Sequence, residues 1–91
     1  MEFTWDKNKN LENKRKHGLS FEDAAAIFAG PTVTILDDTF DYDEDRFITF
    51  GLLGDVVVLV LHVERNLKTR IISMRKAVKT EREYYERKIL F

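Results

Sequence analysis

The longest uninterrupted apolar stretch, residues 56–63 (VVVLVLHV), is β-branched and of strand length. Its lack of polar alternation predicts a strand covered on both faces, or nearly so. The polar residues 65–69 that follow form a connection of hairpin size, and residues 70–76 (RIISMRK) read as a second strand running back beside the first. The ends of this ribbon carry His62, Glu64, Arg65, Arg70, Ser73 and Arg75.

The remaining pattern supplies what buries or frames the ribbon. Phe3 and Trp5 are two apart, the spacing of a short extended segment with one buried face. Asp6 is placed to cap residues 7–17, a polar helix-compatible run whose one apolar residue is Leu11. Gly18 stops it, after Lys16 and His17 at the end where cations are favoured. Ser20 opens a second helix with Asp23 in the capping-box position. Phe21, Ala24, Ala25, Ile27 and Phe28 give it an apolar stripe, and Gly30-Pro31 ends it. Residues 32–38 predict a strand, 39–45 an acidic loop and 46–51 a second strand, with Phe47 and Thr49 on one face and Ile48 and Phe50 on the other. A turn over 52–55 leads into the ribbon. Thr80 caps a last helix, with Glu83 three residues on, and Tyr84, Tyr85, Lys88, Ile89 and Phe91 form its mixed face. The predicted order is helix, helix, four strands, helix. That is an α+β domain with a four-stranded antiparallel meander, occupying 1–91 as a single unit.

Composition narrows the class. The chain has 91 residues, 44% hydrophobic, with seven Phe, which suits one folded core. The absence of cysteine rules out disulfides and thiolate metal sites, and two distant histidines are too few for a His-rich centre. The charged N-terminus is unlike a signal peptide and no apolar run approaches a membrane span, so a cytoplasmic location is expected. The net charge of −1 is unevenly distributed: −6 over residues 31–45 and +5 over residues 46–91. A basic C-terminal half can attract polyanions, whereas the acidic run belongs away from any RNA or DNA surface.

Motifs of P-loops, dinucleotide folds, zincins and nucleophile elbows are missing from the sequence. What remains is arginines with one His, one Glu and one Ser near the ends of two neighbouring strands. Cleavage of an RNA phosphodiester needs a base for the 2′-hydroxyl, an acid for the leaving oxygen and cations for the charge that builds on phosphorus. Arginine suits the last task, because its fork matches phosphate oxygens. The ranking is Arg65 and Arg75, then Arg70, then His62 and Glu64. Parity sets a constraint: Arg70 and Arg75 are five apart and face opposite sides of a regular strand, so only a bulge or a strand end can gather them. Each group also has a plain structural reading. His62 beside a buried strand can be a hydrogen-bonded support, Glu64 and Arg65 a hairpin-end pair, His17 a helix terminus and Trp5 a core residue.

The chain resembles the BrnT family, the toxin component of BrnT/BrnA type II toxin–antitoxin systems. The resemblance runs through Phe3-Thr4-Trp5-Asp6, Lys9, Asn13, Lys16-His17-Gly18 and Phe21-Glu22-Asp23-Ala24. It continues through Glu44-Asp45-Arg46-Phe47, Gly51, His62-Val63-Glu64-Arg65 and the segment from Arg70 to Ala77, and ends at Thr80, Glu83 and Tyr85. Val63 stands where the family often has Thr, and Asp45 separates Glu44 from Arg46 where an acid–Arg pair is usual; neither removes a candidate group. The resemblance implies a RelE-like fold and a metal-free ribonuclease that arrests translation and growth, with no cofactor. It also implies a BrnA-type ribbon-helix-helix antitoxin as partner, with promoter DNA reached only through that complex. By this carry-over the weight falls on Arg65 and Arg75. The competing expectation is a catalytically inactive RelE-like module that acts only through its antitoxin. A DNA-binding role is weaker, since residues 7–16 mix acids and amides among their lysines.

Overall fold

The computed structural model describes residues 1–38 and 43–90. Most of the expected acidic loop, residues 39–42, and Phe91 lie outside the described residues. The elements are β1 (Glu2–Trp5), α1 (Lys7–His17), a 3₁₀ turn (Phe21–Asp23), α2 (Ala24–Ala29), β2 (Val33–Asp37), β3 (Arg46–Leu53), β4 (Val56–Arg65), β5 (Lys68–Lys76) and α3 (Lys79–Leu90). They form one mixed sheet of order β1-β5-β4-β3-β2. The class is α+β, as expected, but the sheet has five strands and not four. β2 to β5 make the antiparallel meander, and β1 adds to β5 in parallel, pairing Phe3 with Thr69 and Trp5 with Ile71. The Phe3/Trp5 alternation correctly announced an extended segment with one buried face. Its pairing partner lies more than sixty residues away, which local pattern cannot reveal.

Alternation along the strands divides the side chains between two faces. One face carries Phe3, Trp5, Val58, Val60, Ile71 and Met74, and packs beneath Leu19, Phe21, Ala24, Ile27 and Phe28. The other carries Val33, Ile48, Phe50, Leu52, Val57 and Leu59, and is closed over part of its area by Tyr84 and Tyr85 of α3. The expectation that residues 56–63 are covered on both sides therefore holds for most of the run. Residues 57–60, His62 and Val63 are buried, Leu61 is half-buried and Val56 is exposed.

Helix placement departs from the sequence reading for the second and third helices, and α1, placed as expected, docks in a way its polar sequence does not announce. α1 has almost no apolar face: Leu11 is exposed, and the helix docks through two buried asparagines. Asn10 accepts the Phe21 amide N–H at 2.9 Å. Asn13 accepts the Met74 amide N–H at 3.1 Å and donates to the Leu19 carbonyl. Asn13 thereby covers the stretch of β5 that extends past the end of β1, an edge that would otherwise offer a bare amide. The second predicted helix is split into the 3₁₀ turn and the short α2. Ser20 caps it by accepting from Glu22 N, and the expected return from Asp23 is not made. α3 begins at Lys79, not after a Thr80 cap; Glu81 reaches back to the Val78 amide at 2.8 Å, while Glu83 pairs with Lys79 along the helix. Asp6 and Gly18 bound α1 as expected, Asp6 accepting from Asn8 N and Lys9 N.

Candidate active site

The β4–β5 hairpin closes in two residues, Asn66 and Leu67, both with positive φ (51° and 65°). This is a tighter connection than the expected 65–69 loop. Arg65 pairs with Lys68, Glu64 with Thr69, Val63 with Arg70 and His62 with Ile71. The register then shifts: Leu61 pairs with Ser73 and Leu59 with Arg75, so Ile72 is the extra residue of a bulge. The shift reverses the parity of everything after it. Arg65, Val63, Leu61 and Leu59 share one face of β4, so their partners Lys68, Arg70, Ser73 and Arg75 share that face too. Of the ways the five-residue spacing left open, the structure has the bulge, and it puts Arg65, Arg70 and Arg75 on one side of the sheet.

Two of the three also come together along the strands. Continuing the β3–β4 register outward from Phe47↔His62 sets Arg46 beside Val63, whose other neighbour is Arg70. Arg46 and Arg70 thus flank the buried Val63, and Arg65 lies one same-face step further along β4. Glu44 reaches into this group. Arg65 grips it with both arms, Nε donating to Oε2 at 2.9 Å and Nη2 donating to Oε1. The Arg65 bond holds the Glu44 carboxyl below its ordinary range, and the charges of Arg46 and Arg70 act on it in the same sense. Across β3, Arg46 also pairs in register with Asp37.

Arg75 occupies the same face but not the same cluster. It lies opposite Leu59, four β4 residues from Val63, or about 13 Å along the strand. Its guanidinium makes a two-bonded pair with Glu81, both at 2.8 Å. Glu81 is the residue that caps the first turn of α3, so one carboxylate serves the helix and the arginine together.

His62 and Glu64 are not brought to the arginine face. They lie on the opposite side of the sheet, in a hydrogen-bonded chain that spans four strands. Thr34 Oγ1 and Thr49 Oγ1 are 2.7 Å apart, Thr49 Oγ1 and His62 Nε2 2.7 Å, and His62 Nδ1 and Glu64 Oε2 2.7 Å; Thr69 Oγ1 donates to Glu64 Oε1 at 2.8 Å. The carboxylate only accepts, so it fixes the proton on Nδ1, and Nε2 must accept from Thr49. The His62 ring is packed edge-on to Phe28 and stacked on Phe47. With 4% of its surface exposed, its burial lowers its pKa against the opposing pull of Glu64, and the ring is neutral at pH 7.

Arg46, Glu44 and Glu81 complete a site that the sequence reading left short. The expected turn over 52–55 would have set Arg46 opposite Leu61; the tighter two-residue turn at Gly54 and Asp55 is what carries it to Val63. Nothing local marks Glu44 or Glu81 as arginine partners, since each acts from outside the ribbon. Among the described residues no helix is long and apolar enough to cross a membrane. No curated protein matches the chain. The family model for "Ribonuclease toxin, BrnT, of type II toxin-antitoxin system" matches residues 5–81, a span that includes the bulged hairpin, Glu44, Arg46 and the Glu81 clamp, and the chain belongs to that family of toxins.

Proposed function

We propose that this toxin is a metal-independent endoribonuclease that binds the RNA backbone along the arginine face, with Arg65 and Arg70 at the hairpin end and Arg75 beside α3. In this reading it acts in the cytoplasm and blocks translation by cutting RNA. A BrnA-like ribbon-helix-helix antitoxin neutralises it, and promoter DNA is met only through that complex. The observation that carries the reading is the bulge at Ile72. A bulge breaks ladder pairing locally, and here it aligns three guanidinium groups that a regular strand would divide. Guanidinium groups on an open sheet face can hold phosphate oxygens in pairs and stabilise the charge that develops as the 2′-oxygen attacks phosphorus. His62 and Glu64 then support the hairpin from behind the sheet and do not touch RNA.

The test is cleavage of RNA by purified, antitoxin-free protein. Arg65→Ala, Arg70→Ala and Arg75→Ala should each lower the rate, by about 10²-fold where the arginine stabilises the transition state, with unchanged circular dichroism. Unaltered rates in folded variants would remove the site assignment. A second reading, an inactive module that acts only through its antitoxin, has one observation in its favour: Arg65 and Arg75 are both held by internal carboxylates. Folded protein that neither cleaves RNA nor arrests growth would decide for it.

A further inference from the structure

The grip of Arg65 on Glu44 has a geometry that matters for any anionic ligand. A carboxylate held by both arms of a guanidinium is the closest side-chain analogue of a phosphate held the same way. The fork of Arg65 is matched by an anion that offers two oxygens, and here Glu44 supplies them. The sheet register sets Arg46 and Arg70 on either side of Val63, one same-face step from Arg65, so the anion sits where three positive side chains converge. Both partners of the pair are substantially solvent-exposed, at 54% for Arg65 and 40% for Glu44. Such a pair holds weakly and can exchange.

We propose that Arg46, Arg65 and Arg70 form a phosphodiester-binding site in which Glu44 is an internal competitor, standing in for the phosphate until RNA displaces it. Arg46 is therefore a further phosphate-binding residue. Glu44 lowers the affinity of the free protein for RNA, since each binding event must first break the Arg65–Glu44 pair. The fall in the Glu44 pKa caused by all three arginines agrees with this, as it is the response of an anion lodged in a cationic site. The inference rests on the reading of the arginine face as an RNA surface.

The experiment measures binding of a short 2′-O-methyl oligoribonucleotide, which lacks the attacking hydroxyl, by fluorescence anisotropy over a range of salt concentrations. Wild type, Glu44→Gln, Glu44→Ala, Arg46→Ala and Arg65→Ala are compared, with thermal melts to confirm folding. Both Glu44 variants are expected to bind roughly two- to fivefold more tightly, the range that an exposed ion pair contributes. Their log Kd against log salt should keep close to the wild-type slope, because the bound state contacts the same phosphates once Glu44 is displaced. Arg46→Ala should weaken binding and make the slope shallower by about 0.7, the loss of one phosphate contact on a single strand. If Arg65→Ala loses binding but folded Glu44→Gln and Glu44→Ala bind no better than wild type, the competitor role of Glu44 is overturned and the RNA surface stands. If Arg46→Ala binds like wild type, its place in the site is overturned. If neither wild type nor the Glu44 variants bind the oligonucleotide, the RNA reading falls and this inference with it.

Discussion

Thr49→Val tests the proton arrangement of the buried chain. Thr49 is fully buried, and its hydroxyl is the link between Thr34 and the His62 Nε2. Because Glu64 fixes the His62 proton on Nδ1, Thr49 must donate to Nε2 and accept from Thr34. Valine has nearly the same volume but removes both functions. Two net hydrogen bonds are lost, and the Nε2 lone pair is left in an apolar pocket between Phe28 and Phe47. An orphaned buried acceptor costs about 1–3 kcal/mol, and the gain from burying a methyl in place of a hydroxyl offsets part of the loss, for a net of about 1–2 kcal/mol. At about 4–8 °C per kcal/mol in a domain of this size, Tm should fall by roughly 5–15 °C. Urea unfolding should show a lower midpoint with an unchanged slope. Thr34→Val is the internal control. Thr34 only donates and is exposed, so its loss should cost no more than about 0.5–1 kcal/mol. Nitrogen-15 spectra should show the Nδ1–H tautomer in wild type. A Thr49→Val protein within about 0.5 kcal/mol of wild type, or one matched by Thr34→Val, would refute the assigned direction of the chain.

Three further outcomes are expected. Because burial lowers the His62 pKa from its ordinary 6.5, the unfolded state takes up a proton that the folded state refuses. Stability should be full above pH 6.5 and fall as pH drops toward the folded pKa, by at most about 1.4 kcal/mol per pH unit; a flat stability between pH 7 and 5 would contradict the buried neutral ring. Gly51→Ala would set a Cβ 2.7 Å from Ile27 Cγ2, and Ile27 is fully buried, so destabilisation of about 1–3 kcal/mol is expected in chemical denaturation. Leu67→Gly relieves a left-handed turn residue whose side chain is 99% exposed, and should raise stability by about 0.5–1 kcal/mol; a loss on thermal melting would show that Leu67 makes a contact in the fold.

How far the sequence could be read depended on whether a signal was local. The hairpin, the helix bounds at Asp6 and Gly18 and the break at Gly30-Pro31 are encoded within a few residues, and each is where its chemistry places it. The parity of Arg70 and Arg75 was legible as a contradiction, and the bulge resolved it. The position of the bulge was not legible, since Ile72 looks like any strand residue and is singled out only by its pairing with β4. β1 was seen as extended but its parallel partner was not, because the pairing closes over most of the chain. α1 hid its docking surface for a different reason: Asn10 and Asn13 read as solvent-facing amides, yet they are the buried side of the helix. His62 was ambiguous between chemistry and support. It lies on the face opposite the arginines, and that placement depends on register.

Glu81 has a thermodynamic consequence that follows from its two attachments. Its carboxylate closes the first turn of α3 through Val78 N and orients Arg75 through both arms of the guanidinium. The two equilibria share a reactant. A ligand that draws Arg75 away frees Glu81 to favour the helix cap alone, and a ligand that unwinds the first turn of α3 changes the affinity of Arg75 for anions by the same factor that the anion changes the unwinding. The covering helix and the cation at its edge are therefore one coupled unit, and the free energy spent on either is felt by both.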